Sequence, residues 1–336
     1  KPDTRHPTPD TRHPTPETRH PKRPNPMDLR THYLGWQLDN PIVVGASPLT
    51  YNVKGIKRCA EAGAGAVVLR SLFEEQIRGN TAELSETLAQ QAGFHDEVYQ
   101  YIEAGLTMRY GTREYLEMLT QSKNEVDIPV FASINCISDE WWIDFAQEVE
   151  AAGADALELN VAVLPDTLKD TAADIEERYL AIARQAVQAV SIPVAIKLGP
   201  YFTSLPEMLQ KLHETGIHGF VLFNRFYRPT IDIEKMEVVI GDRFSANSEL
   251  SVTLRNLSLF SYSMPCDFAG ASGIHSGEDL IKTILAGANV AQVVTTLMKN
   301  NINHIQTMLD ELSTWMEKNG HQNIESFRGK DRKSVV

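Results

Sequence analysis

The chain has 336 residues, of which 42% are hydrophobic, so it is long enough to bury a large core. It contains 32 Lys and Arg residues and 44 Asp and Glu residues. The resulting net charge of −12 argues against binding to a nucleic-acid backbone. No run approaches the ~20 apolar residues of a membrane span. The three cysteines lack the paired spacing of a disulfide framework or a zinc site. This composition predicts an acidic, cytoplasmic globular protein that binds neither nucleic acid nor membrane.

Residues 1–26 differ in composition from the rest of the chain. The seven-residue sequence Thr4–Asp10 is repeated as Thr11–Glu17, and only part of it is repeated after that. Eight of the 17 prolines lie in this segment. Two prolines per repeat exclude a helix, so we expect a disordered or polyproline-like tail. The predicted domain covers 27–330, starting at Met27, and 331–336 form a short C-terminal tail.

From Asn40 onward, short apolar runs alternate with longer amphipathic stretches. The runs predicted as strands are Ile42–Val44, Ala66–Leu69, Val130–Ile134, Ala156–Asn160, Val194–Lys197, Gly219–Phe223, Cys266–Ala269 and Val290–Val294. The stretches predicted as helices are Lys54–Ala62, Thr112–Ser122, Asp139–Ala152, Asp174–Val190, Leu205–Thr215, Val252–Tyr262 and Gly277–Ala286. Glycines that follow four of the helices predict left-handed caps. Eight strands alternating with helices predict an α/β fold, a single-domain (β/α)8 TIM barrel with a long insertion after the second strand.

The chemistry of such a barrel lies at the carboxyl ends of its strands. Polar, mostly uncharged side chains follow the predicted strands there, with one lysine and two arginines: Ser47, Arg70, Asn160, Lys197, Asn224 and Arg225. Amide groups beside a lysine suit a planar heterocycle whose edge needs donors, acceptors and one positive charge. The alternative is that the two asparagines only close turns.

The last two strand ends carry a different signal. Small residues, Gly270–Gly273, follow the seventh strand, and Thr295 and Thr296 follow the eighth. Small residues let backbone N–H groups approach phosphate oxygens, and many barrels bind phosphate at this position. A planar ring and a phosphate at one end of a barrel suggest FMN.

From Asp28 to Lys330 the sequence resembles the class 1 dihydroorotate dehydrogenases, which are FMN-containing barrels of pyrimidine synthesis. The resemblance rests on Leu34–Pro41, Gly45–Ser47, Glu158–Asn160, Ala195–Tyr201, Asn224, Gly270–Asp279, Ala286–Ala288, Gln292–Leu297 and Asn323–Lys330. It implies a homodimer that acts on a small-molecule substrate. It also implies that Ala46, Ser47, Arg70, Asn160, Lys197, Gly270, Gly273, Thr295 and Thr296 contact the flavin, and that Arg70, Asn160 and Asn224 contact the substrate.

The residues that differ from that family's pattern lie at positions that the resemblance assigns to the substrate. Val163 occupies the position of the family's cysteine base, and Pro165 occupies the position of a substrate-binding asparagine. Arg70 replaces a lysine, and Ile102 replaces the leading asparagine of the lid motif. Because valine cannot accept a proton, we expect dihydroorotate itself, or a related dihydro acid, to react without the usual base.

Lys197 is the predicted catalytic residue, because a cation beside the flavin favours its reduction. Cys136 is a weaker candidate for the missing base. Two alternatives remain open: a barrel lyase or aldolase in which Lys197 forms a Schiff base, and a degenerate barrel that binds flavin without turnover. The insertion that begins near Phe73 is long enough to be a lid over the flavin.

Overall fold

Eight parallel strands hydrogen-bond in a closed ring in the computed structural model of the chain. The structure describes residues 27–74, 111–136, 142–161, 163, 170–225, 229–242 and 244–331. The predicted tail 1–26 and most of the insertion after the second barrel strand lie outside these residues.

Within that part, the strands are short and most of them belong to the barrel. In chain order they are β1 (Thr31–Tyr33), β2 (Trp36–Leu38), β3 (Ile42–Val44), β4 (Ala66–Val68), β5 (Leu72–Phe73), β6 (Val130–Cys136), β7 (Ala156–Val161), β8 (Val194–Leu198), β9 (Gly219–Leu222), β10 (Pro229–Asp232), β11 (Glu237–Ile240), β12 (Asp267–Ala271) and β13 (Val290–Val293).

The described helices pack mainly outside the ring. They are α1 (Val53–Glu61), α2 (Thr112–Glu125), α3 (Ile143–Ala151), α4 (Ala172–Ala189), α5 (Leu205–Glu214), α6 (Leu250–Phe260), α7 (Gly277–Leu285), α8 (Thr295–Asn300) and α9 (His304–Lys318). None of them combines the length and the hydropathy that a membrane span requires.

Barrel closure confirms the predicted fold class. The ring runs β3, β4, β6, β7, β8, β9, β12 and β13, and β13 pairs with β3 to close it. All of these pairings are parallel, as expected when a helix returns the chain to the same end of the barrel after each strand. The carboxyl ends of all eight strands therefore lie together at one mouth of the barrel.

Local sequence signals explain where the helices begin and end. The Asn52 side chain accepts a hydrogen bond from the Gly55 N–H at 2.9 Å, and the Thr171 hydroxyl accepts one from Asp174 N–H at 3.2 Å. The four predicted cap glycines, Gly63, Gly153, Gly216 and Gly287, have φ values of 92°, 95°, 99° and 111°. These values lie in the left-handed region, which confirms the predicted caps.

The core has two layers, because successive residues of each strand face opposite sides of the ring. The outer layer lies between strands and helices, where Ile134, Cys136 and Trp142 are fully buried. The inner layer combines small residues, including Ala66, Ala156, Ala195 and Ala269, with valines and Phe131 of the strands and with Tyr33, Leu34 and Leu38 of the β1–β2 hairpin.

That hairpin closes the amino-terminal mouth of the barrel. The Leu34 N–H donates to Asp267 Oδ2 at 2.7 Å, and the Trp36 indole N–H donates to the Asp155 carbonyl at 2.9 Å. Asp267 begins β12 and Asp155 precedes β7, so both bonds anchor the hairpin where strands begin. The hairpin thus lies at the mouth opposite to the carboxyl ends of the strands.

Candidate active site at the carboxyl ends of the strands

A cleft opens at the carboxyl ends of β8, β9, β12 and β13. Among the described residues, its lining consists of Ala46, Lys197, Phe223, Asn224, Arg225, Ser245, Ala271, Ser272, Gly273, Ile274, Gln292, Val293, Val294 and Thr295. Two cations, two amides and three hydroxyls supply its polar chemistry, and small side chains leave the backbone accessible at the last two strands. The structure thus brings together Ala46, Lys197, Asn224, Gly273 and Thr295 of the predicted site.

Lys197 is held by two buried acceptors inside the barrel. Its Nζ donates to Gln292 Oε1 at 2.7 Å and lies 3.8 Å from Glu158 Oε1. Gln292 Nε2 in turn donates to Glu158 Oε2 at 2.6 Å. A buried carboxylate needs a cation and hydrogen-bond donors to offset its lost hydration, and Lys197 and Gln292 provide both. These contacts hold the Lys197 Nζ at the floor of the cleft.

Asn160 and Asn224 bond to each other across the end of β8. Asn224 Nδ2 donates to Asn160 Oδ1 at 2.6 Å, and Asn160 lies on β7 whereas Asn224 follows β9. This bond links two separate strands instead of closing a local turn. The pair presents amide groups beside Lys197, which sits opposite Asn160 in the β7–β8 register.

Arg225 lines the cleft, although its sequence position indicates only an arginine at a strand end. Its Nε lies 3.5 Å from the Glu249 carboxylate, and both side chains are largely buried. Glu249 comes from the turn before α6, and no local pattern in the sequence pairs it with Arg225. Gln292 was missed for the same reason, because its partners lie on strands far away in the sequence.

The predicted phosphate-binding segment turns sharply at Ser272 and Gly273. Their φ values are 68° and 78°, and a Cβ on Gly273 would lie 2.5 Å from the Leu250 backbone N. Gly273 is therefore required for backbone conformation and for close approach to the turn before α6. Gly270 differs, because a Cβ there would meet the Thr283 methyl of α7 at 2.4 Å. Gly270 faces the helices and is absent from the cleft lining.

Thr295 and Thr296 have separate roles. Thr295 lines the cleft, and its Oγ1 accepts a bond from Ser245 N–H at 3.4 Å. Thr296 is fully buried and donates to the His275 carbonyl at 3.0 Å. The His275 ring lies with Nε2 3.0 Å from the Ser245 carbonyl, and burial, assisted by the charge of Lys299, lowers the pKa of this histidine. These contacts tie the loops around the cleft together.

Comparison with known proteins identifies the family. A family model described as dihydroorotate dehydrogenase matches residues 28–316. The chain belongs to the dihydroorotate dehydrogenase family. Because members of this family are flavin-dependent dehydrogenases, the protein is an oxidoreductase of the same type.

Individual relatives in this family are distant in sequence, but they match most of the length of this chain. The catalytic subunit of dihydroorotate dehydrogenase B (NAD(+)) from Methanocaldococcus jannaschii is 24% identical over 86% of this chain and 94% of its own length. Dihydroorotate dehydrogenase A (fumarate) from Lactobacillus helveticus is 24% identical over 88% of this chain and 95% of its own length. The chloroplastic dihydropyrimidine dehydrogenase (NADP(+)) of Arabidopsis thaliana is 24% identical over 90% of this chain and 76% of its own length.

Two predicted flavin contacts of this dihydroorotate dehydrogenase family member have structural partners of their own. Ser47 is fully buried, and its hydroxyl accepts from Leu49 N–H at 3.3 Å, capping a short turn at Pro48–Thr50. Arg70 is buried with its guanidinium over the rings of Tyr51 and Tyr115, 5.2 and 5.5 Å from their centroids. Among the described residues, neither Ser47 nor Arg70 lines the cleft around Lys197.

The candidates for the base are also separated from the cleft. Cys136 is fully buried in the outer core layer, with its Sγ 3.8 Å from the Ile134 carbonyl. Val163 lies in a neighbouring, mostly apolar cavity together with Ile175, Tyr179 and Phe202. Pro165 and Ile102 lie outside the described residues. The described part of the site therefore offers cations and amides but places neither Cys136 nor Val163 at Lys197.

Proposed function

We propose that the protein is an FMN-dependent oxidoreductase that acts on the CH–CH bond of a small cyclic dihydro acid, dihydroorotate or a close relative. The observation that supports this most directly is the fixed ammonium of Lys197 at the floor of a cleft lined by amides and small residues. When bound, FMN supplies a ring that accepts a hydride, and a nearby cation stabilises the charge that it gains.

The donor set fits both ends of that cofactor. Lys197 and Ala46 would border the flavin ring, and the backbone around Ser272, Gly273 and Thr295 would bind the phosphate. The Asn160–Asn224 pair would orient the amide edge of a substrate, because each asparagine side chain carries both a donor and an acceptor.

The choice of substrate depends on the missing base. Val163 cannot take a proton from dihydroorotate, and a positioned base contributes about 10²–10⁴-fold to such a step. A relative in the same comparison is named a dihydropyrimidine dehydrogenase, so a neutral dihydropyrimidine is the second candidate substrate. We expect slow reduction with dihydroorotate relative to an enzyme that has a positioned base.

The decisive experiment follows the flavin spectrum. The purified protein should be yellow, and heat denaturation should release FMN and not FAD, at about one per chain. Anaerobic mixing with dihydroorotate and with dihydrouracil, monitored by stopped-flow bleaching, then tests the substrate. Val163→Cys should give only a small gain with dihydroorotate, because residue 163 lies in the neighbouring cavity and Arg70 and Pro165 are unchanged. A colourless protein that takes up no FMN on reconstitution would contradict the proposal, and rapid bleaching by dihydroorotate in the unmodified protein would refute the argument from Val163.

The geometry argues against a lyase that uses Lys197 as a nucleophile. A nucleophilic lysine needs a neutral amine, whereas this one donates to Gln292 and faces the buried Glu158 carboxylate. Borohydride trapping with candidate carbonyl substrates should therefore leave Lys197 unmodified. A degenerate flavin-binding barrel remains the alternative in which FMN binds but neither dihydro compound bleaches it.

We also propose that two copies of the chain associate in the cytoplasm through the β10–β11 hairpin. This hairpin exposes Ile231, Ile233, Met236 and Val238 by 64–86%. Its strands pair only with each other among the described residues, and an isolated two-stranded sheet is marginally stable in water. A second copy offers the same apolar side chains and the same open strand edges, so a two-fold contact would bury both.

A further inference from the structure

Three polar side chains form a chain of contacts across the inside of the barrel. Glu158 lies on β7, Lys197 on β8 and Gln292 on β13, and β7 and β13 stand on opposite sides of the ring. The Gln292 side chain therefore spans the barrel interior to reach both partners. Glu158 and Gln292 are 3% and 5% exposed, so these contacts are shielded from water.

The two partners fix the orientation of the Gln292 amide. Lys197 can only donate, so it faces Oε1, and the Glu158 carboxylate can only accept, so it faces Nε2. Gly45 makes room for this arrangement, because a Cβ at that position would lie 3.0 Å from Gln292 Cγ. The glutamine is thus held in one conformation from both ends.

Gln292 also separates the two charges. The Lys197 ammonium lies 3.8 Å from Glu158 Oε1, beyond the ~2.8 Å of a direct charge-assisted hydrogen bond. Without an acceptor at Gln292, the flexible lysine would close onto Glu158, because a buried carboxylate stripped of a donor recovers stability from the nearest cation. The ammonium would then withdraw from the cleft and its field would be largely cancelled.

We propose that Gln292 is a positioning residue that keeps the Lys197 ammonium at the cleft and apart from Glu158, so that its charge favours the reduced flavin. Among the described residues, the side-chain hydrogen bonds of Gln292 are with Lys197 and Glu158, so it acts through the lysine. The inference rests on the proposed FMN function. It assigns opposite effects to the two partners of Lys197: loss of Gln292 weakens the cation at the flavin, and loss of the Glu158 charge strengthens it.

The test compares midpoint potentials of Gln292→Met, Glu158→Gln and the double variant with those of the unmodified holoenzyme. We expect Gln292→Met to lose about tenfold in its preference for reduced over oxidised flavin, which lowers the potential by about 30 mV for a two-electron couple. Glu158→Gln should shift the potential in the positive direction, and the double variant should lie between the two single variants. Gln306→Met, the same exchange on the exposed face of α9, is the control and should leave the potential unchanged.

A purely structural role predicts a different pattern. It would weaken FMN binding and thermal stability in both single variants and would not move their potentials in opposite directions. An unchanged potential in Gln292→Met, or a negative shift in Glu158→Gln, would overturn the inference. If Gln292→Met does not fold, the direction in which Glu158→Gln shifts the midpoint potential still tests the inference. An unmodified protein without flavin would refute the proposed function, and this inference with it, before any variant is made.

Discussion

Gly270 illustrates how one residue can fit a functional motif and still act through packing. It belongs to the Gly-Ala-Ser-Gly phrase that predicts a phosphate site, but a Cβ there would collide with the Thr283 methyl of α7. Leu257 Cδ1 is also near, at 3.2 Å from the same position. The residue therefore sets how closely α7 approaches β12, whereas Ala271, Ser272 and Gly273 line the cleft.

Replacement of Gly270 should accordingly destabilise the protein without changing its cofactor affinity. Overpacking a buried contact costs about 1–3 kcal/mol, so we expect a drop of that size for Gly270→Ala in denaturant unfolding. Thr283→Ser removes the colliding methyl and keeps the hydroxyl that donates to the Asp279 carbonyl at 2.8 Å. The double variant should recover most of the loss. Weakened FMN binding at unchanged stability would show instead that Gly270 acts at the cofactor.

At the scale of single elements, the β10–β11 hairpin forms a two-stranded sheet that is separate from the barrel sheet among the described residues. It follows directly from the strand end that carries Asn224 and Arg225, and its turn exposes Ile233 and Met236 by 79% and 86%. Exposed apolar groups at the tip of a small sheet lose the stabilisation that burial would give them. A contact with a second copy would supply that burial close to the cleft.

A lysine at the tip of this hairpin should disrupt the proposed dimer. We expect the unmodified protein to elute with a light-scattering mass of twice the 37.5 kDa chain, and Ile233→Lys with Met236→Lys to elute as one chain. Tyr262→Lys adds one lysine at another apolar residue, 76% exposed after α6, and serves as the control for a lysine outside the hairpin. A monomeric unmodified protein, or a dimer that survives both hairpin substitutions, would contradict this contact.

At the scale of the whole molecule, the charge and the apolar residues are unevenly distributed along the chain. Residues 1–26 contain none of the hydrophobic residue types, and they carry six basic and three acidic residues. The rest of the chain thus holds the whole apolar core and a net charge more negative than the −12 of the full sequence. A segment without apolar side chains has little to contribute to a core.

Deletion of residues 1–26 should therefore leave the folded domain unchanged. We expect the same melting temperature and the same FMN content per chain for 27–336 as for the full chain, measured by calorimetry and by absorbance. A melting temperature lower by several degrees, or a loss of flavin, would show that the segment stabilises the barrel. The full chain purified in parallel is the control.

The sequence by itself determined the barrel, because the signals for it are local. Apolar runs such as Val130–Ile134 and capped helices such as Leu205–Glu214 depend on neighbours within a few residues, and the strand ends follow from them. Those ends place Lys197 and Asn224 at one mouth of the barrel. The short strands of the β1–β2 and β10–β11 hairpins were missed, because three or four residues give too little alternation to predict a strand.

Only the tertiary structure decided which polar groups meet. Gln292 and Glu158 are 134 residues apart, and their hydrogen bond exists because β7 and β13 face each other across the closed ring. The same closure turned Gly270 toward α7 and placed Cys136 in the outer layer, although their sequence positions at strand ends resemble those of cleft residues. The direction of a side chain at a strand end depends on register and on the packing of distant helices, and neither is encoded in the residues beside it.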